Sequence, residues 1–65
     1  MQTFADAVRN LNEEIQTVVA IGNRTHWIFN ENDEIDEAWA ESFEVTEIIS
    51  ETKTSVIFRI ALIEE

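Results

Sequence analysis

Carboxylates are the groups in this chain with the numbers and spacing to do chemistry. Between Glu31 and Glu51 stand Glu31, Asp33, Glu34, Asp36, Glu37, Glu41, Glu44, Glu47 and Glu51, with no Lys or Arg among them. Carboxylates so placed can act in three ways. They can pass protons as an acid–base couple. They can ligate a hard divalent cation. They can also present fixed negative charge to a cationic surface.

The first use finds no support. Paired carboxylates are everywhere, so spacing singles out no acid–base couple. His26 is the only histidine and there is no cysteine. Ser42, Ser50 and Ser55 have no nucleophile motif around them. His26 beside Trp27 reads as a structural or surface residue. No enzyme activity and no cofactor are expected.

The metal reading fails on position. Asn30, Asn32, Glu34, Asp36 and Glu41 fall at places 1, 3, 5, 7 and 12 of a calcium-loop pattern. That pattern wants Asp at the first place and Gly at the sixth. Here those places hold Asn30 and Ile35. Ile35 also reads as a core residue, so no dedicated metal site is expected.

Bulk charge narrows the third use. The 65 residues hold 14 acids and 4 bases, a formal charge of −10. Such a balance repels nucleic acid and anionic lipid. Arg9, Arg24, Lys53 and Arg59 are scattered, and the single glycine forms no phosphate-cradling loop. Direct nucleic-acid binding is not expected. No stretch approaches the ~18–20 apolar residues of a membrane span, and no basic region precedes an apolar run at the N-terminus. A cytoplasmic location is expected. The 45% apolar content, patterned in Val, Ile, Leu and Phe, argues for folding over disorder.

The elements that must position the acids can be read in order. Thr3 is placed to cap the amide of Asp6. Phe4, Val8, Leu11 and Ile15 form one apolar stripe, which predicts a helix from Thr3 to about Glu14. Gln16 to Ile21 reads as a continued helix or, preferably, as a strand rich in β-branched residues. On the strand reading, Gly22-Asn23 makes a two-residue type II′ hairpin turn. Arg24 to Asn30 is then the partner strand, with Thr25, Trp27 and Phe29 on one face and His26 and Ile28 on the other. A second short helix starts at Asn32 or Asp33 and buries Ile35, Ala38 and Trp39. Asp33/Glu37 and Glu37/Glu41 are then like-charge pairs at helical spacing, each unfavourable by roughly 0.2–0.5 kcal/mol.

Phe43 to Ser50 and Ser55 to Ile63 read as strands joined by Glu51-Thr52-Lys53-Thr54. The alternation in the first breaks before Ile48 and Ile49, which predicts a bulge near Glu47. The last strand is apolar on both faces. Val56, Phe58, Ile60 and Leu62 face one way, and Ile57, Ala61 and Ile63, with Arg59, the other. The second face needs cover from a helix layer or another subunit. Residues 1–65 thus read as a single α+β domain of order α-β-β-α-β-β. The natural packing is a four-stranded antiparallel sheet with two helices on one face. So small a core supplies roughly 3–5 kcal/mol, so a homodimer is expected, with Ile57, Ala61 and Ile63 at its interface.

A helix or strand holds its acids at fixed intervals. Residues two apart on a strand are separated by roughly 6.5 Å and a helical turn by about 5.4 Å. Duplex DNA carries one charge per about 1.7 Å of axis. In size, charge and the acids from Glu31 to Glu51, the chain resembles the small acidic phage-type proteins that imitate DNA. The resemblance implies a mode of action rather than a fold: inhibition by occupying the basic site of a host DNA-binding protein, in the cytoplasm of the host cell. A histone-like nucleoid protein is the first expected target. The expected contacts are Glu31, Asp33, Glu34, Asp36, Glu37, Glu41, Glu44 and Glu47. The rival reading is a small dimeric adaptor that binds through its apolar last strand, with acids serving only solubility.

Overall fold

The computed structural model describes residues 1–64. It has the order α1 (Phe4–Arg9), β1 (Thr17–Ile21), β2 (His26–Asn30), α2 (Glu37–Glu41), β3 (Phe43–Glu51) and β4 (Ser55–Leu62). This is an α+β fold with the predicted element order. Phe4, Ala5 and Ala7 of α1 and Ala40 of α2 are buried with Val18, Ala20, Val56, Phe58 and Ile60 of the sheet. Both helices therefore cover one face. No helix among the described residues is long and apolar enough to cross a membrane.

The sheet is mixed, not purely antiparallel. Its strands lie in the order β2-β1-β4-β3. β1 pairs antiparallel with β2 and β3 with β4, but β1 and β4 run parallel. The physical reason lies in β4. Val56, Phe58 and Ile60 face the helices while Ile57 faces away, and a strand apolar on both sides belongs in the interior of a sheet. Strand β3, which carries Glu44, Glu47 and Glu51, takes the edge.

Both helices are shorter than their sequence patterns. Thr3 does cap α1, its hydroxyl accepting from the Asp6 amide at 3.1 Å. The helix nevertheless stops at Arg9, with Asn10 as its C-cap. Asn12 then accepts the Glu14 amide through its own side chain at 3.1 Å, a local bond that competes with helix. Leu11 and Ile15 still pack on the core, although from a loop. Similarly, α2 begins only at Glu37, capped by Asp36. Ile35 packs on the core from the preceding loop, and Ala38 is exposed while Ala40 is buried.

Residues Gln16 to Ile21 resolve largely as strand, and the hairpin after them departs from type II′. The loop is Gly22 to Thr25, closed by the Gly22 amide donating to the Thr25 carbonyl at 2.9 Å. The left-handed residue is Arg24, with φ of 67°, not Gly22. Gly22 serves a different need. A Cβ there would lie 3.1 Å from the Trp27 ring.

Aromatic rings bind the layers together. Phe4 is fully buried and packs edge-on against Trp39 and Phe58. Trp27, Trp39 and Phe43 form a second contact group beside it. The predicted bulge in β3 is present, and it is double. The register slips between Val45 and Glu47 and again between Ile48 and Ser50.

Candidate partner-binding surface

The acids divide into three groups, each placed by a different element. The first lies on the connection between β2 and α2. After β2, the chain turns sharply: the Asp33 amide donates to the Asn30 carbonyl at 3.0 Å, and the Asp33 carboxylate accepts from the Asn30 amide at 2.7 Å. Asp36 then caps α2 by accepting from the Ala38 amide at 3.2 Å. Two of the carboxylates therefore do local structural work while remaining exposed. Glu31 and Glu34 are exposed beside them, with no ion-pair partner among the described residues.

The second group surrounds Arg9. Its guanidinium bonds Asp6 at 2.6 Å within α1. It also bonds Glu37, and reaches Glu41 at 3.3 Å, both on α2. The hydrogen bond that Arg9 donates to Glu37 raises the Arg9 pKa above the usual arginine range, although desolvation works against the shift. Sharing a cation offsets part of the mutual repulsion of Glu37 and Glu41. Three carboxylates around one guanidinium still leave the cluster negative. The predicted Asp33/Glu37 helical pair does not form, because Asp33 lies outside α2.

The third group sits on the far side of the sheet. Glu44 is opposite Ala61, and Glu47 opposite Arg59, with Phe43 and Val45 turned toward the helices. Glu47 pairs with Arg59 at 3.3 Å. The expected single row of eight carboxylates is therefore not continuous. Glu31, Asp33, Glu34, Asp36, Glu37 and Glu41 follow one another as an acidic ridge along the β2–α2 connection and α2, while Glu44 and Glu47 occupy the opposite face. Arg9 and Arg59 act as internal counter-charges to part of the array. Arg9 meets Glu37 and Glu41 across 28 and 32 positions, a separation that no local pattern encodes.

A hollow of about 230 Å³ opens beside the ridge. Its floor includes Val8, Leu11, Ile15 and Ile35, and its rim includes Glu13, Glu31 and Asp33. An apolar floor under an acidic rim suits a side chain with an aliphatic stem and a cationic head.

The expected dimer residues are also placed. Ile57 and Ala61 lie on the helix-free face, and Ile63 follows β4, its amide donating to Ser42 at 2.9 Å. Ile28, Val19 and Ile57 stand side by side across three strands of that face. His26 is exposed at the end of β2. Among the described residues no charged or polar side chain is buried, and no three His, Asp or Glu side chains gather as a metal would need. Comparison with known protein families, curated proteins and solved structures finds no match to this chain.

Proposed function

We propose that this protein is a non-enzymatic inhibitor that imitates DNA. It occupies the basic nucleic-acid-binding surface of a DNA-binding protein, first a histone-like nucleoid protein, and excludes DNA by competition. The setting is the cytoplasm of a host cell. The observation that carries the reading is the ridge from Glu31 to Glu41. Six carboxylates there are offset by the one guanidinium of Arg9. Asp33 and Asp36 are tied to backbone amides, so the ridge meets its target with little ordering left to do. The hollow beside it takes a Lys or Arg stem of the target.

The contacts are Glu31, Asp33, Glu34 and Asp36, followed by Glu37 and Glu41. Glu44 and Glu47, on the opposite face, do not share a flat cleft with them. The test is displacement of labelled DNA from a histone-like nucleoid protein, followed by fluorescence anisotropy. The protein displaces DNA at low salt and less well as salt rises. The combined variant Glu31→Gln, Glu34→Gln, Glu37→Gln and Glu41→Gln loses displacement while circular dichroism shows a retained fold. Displacement that survives these four changes refutes the ridge as the contact.

One observation favours a second reading, an adaptor that binds through apolar surface. The row Ile28, Val19 and Ile57 is uncovered by either helix, and Ile28 is 56% exposed. The strand β4 is interior, so it can offer only this face and not an edge. Partner binding that persists in half-molar salt, where surface charges are screened within a few ångströms, and that fails on Ile57→Asp with the fold intact, favours the adaptor.

A further inference from the structure

The two edges of the sheet are treated differently. The β3 edge is broken by two bulges, carries three glutamates, and is partly covered by the N-terminal segment. There the Val45 amide donates to Gln2 at 2.9 Å, and Thr3 bridges Glu44. These are the devices that keep a strand from pairing with another chain. The β2 edge, His26–Asn30, has no charge, no proline and no bulge.

Which backbone groups β2 turns outward follows from its hairpin. Gly22 and Thr25 form a hydrogen-bonded pair. Pairs alternate along an antiparallel ladder, so Ala20 with Trp27 and Val18 with Phe29 bond in the same way. His26, Ile28 and Asn30 therefore point their N–H and C=O groups away from β1. Asn30 agrees with this phase, because both its groups are taken by Asp33. His26 and Ile28 are left with outward donors and acceptors.

Charge says what fits there. Arg9, Lys53 and Arg59 each have a carboxylate within 4.0 Å. Arg24 has none among the described residues. It stands just before the free edge, and Glu31 stands just after it. Arg24 also holds a left-handed φ of 67°, which costs an L residue roughly 1–2 kcal/mol and which Gly or Asn would adopt more readily. Its side chain is the one thing an arginine adds at that position.

We propose that two copies of this chain join along β2 about a two-fold axis, antiparallel, with His26 of each opposite Ile28 of the other and Arg24 of each beside Glu31 of the other. This register uses all the outward groups of His26 and Ile28 and places Trp27 at the axis. It sets Arg24 opposite Asn30 of the second copy, one residue before Glu31. A cation at one end of the edge and an anion at the other are self-complementary only in this antiparallel, two-fold sense. The edge offers four interchain hydrogen bonds, so the dimer is weak and forms at high protein concentration. The inference shares Glu31 with the acidic ridge but does not rest on the reading of that ridge.

Sedimentation equilibrium over a wide range of protein concentration tests it, with circular dichroism on every variant. The unaltered chain dimerises, and the association weakens with salt. Arg24→Glu and Glu31→Arg each lower the association constant about tenfold or more, by replacing two attractions with two repulsions. The double variant recovers most of the loss. Arg24→Gly weakens association while leaving the monomer at least as stable. A chain that stays monomeric at every concentration overturns the proposal. So does a dimer indifferent to Arg24→Glu, or a double variant no better than the single ones.

Discussion

Arg9 and Glu37 stand 28 positions apart in the chain, and a hydrogen bond between their side chains fastens α1 to α2. Asp6 and Glu41 complete the set around the same guanidinium. Each helix is too short to hold itself in water, since isolated helices under ~12–15 residues are marginal. Packing and this charged clasp act together. Arg9→Gln is expected to lower the thermal midpoint, and the deficit should shrink as salt screens the clasp in the unaltered chain. The same change takes the formal charge from −10 to −11 and frees Glu37 and Glu41. Displacement of DNA from a basic target should therefore strengthen. Unfolding at low and high salt, together with the anisotropy assay, measures both effects.

Phe4 is the residue the core can least spare. It is fully buried and touches Phe29, Trp39 and Phe58. Phe4→Ala is expected to cost about 3–5 kcal/mol. A domain of this size has roughly 3–5 kcal/mol in total. The variant should be largely unfolded, with the near-ultraviolet dichroism of Trp27 and Trp39 lost. A cooperative transition in Phe4→Ala contradicts the placement of this ring.

Asp36 separates capping from charge. Asp36→Ala loses the cap on Ala38 and should cost about 1 kcal/mol. Asp36→Asn keeps an oxygen that can cap and removes only the charge. Urea midpoints should therefore fall for alanine and hold for asparagine, while binding to a basic target weakens in both. Thr3→Ala, which removes the cap on Asp6, should also cost about 1 kcal/mol, with no effect through charge.

Gly22 and Arg24 make opposite predictions within one turn. Gly22→Ala puts a methyl 3.1 Å from the Trp27 ring, so it should lower stability and perturb tryptophan fluorescence. Arg24→Gly relieves a left-handed residue and should raise monomer stability by about 1 kcal/mol. If Gly22→Ala is the stabilising one, the Trp27 ring gives way to the added methyl.

Several elements could be read without a structure because their signals are local. Thr3 caps its helix by reaching three residues ahead, and the alternation of Trp27 and Phe29 with His26 and Ile28 sets a strand's two faces. The slip near Glu47 appears as a broken alternation. Helix ends were overrun for a local reason as well. Asn12 supplies a competing bond, and Asp33 builds a turn where the apolar spacing of Ile35 and Trp39 mimics a helix. For α1 both lengths give Val8, Leu11 and Ile15 to the core, so hydrophobic period alone does not separate them.

The sequence by itself determined that this is one acidic α+β unit whose carboxylates crowd between Glu31 and Glu51 without a neighbouring Lys or Arg. Composition and short-range spacing are properties of the chain before it folds. Tertiary structure alone decided three things: that β4 lies beside β1 and parallel to it, that Glu44 and Glu47 face away from the ridge, and that Arg9 clasps Glu37 and Glu41. Each depends on residues some thirty or more positions apart coming together, or on which strand takes the interior. Burial of Val56, Phe58 and Ile60 of β4 against the helices holds that arrangement, and the charges then lie where the packing leaves them.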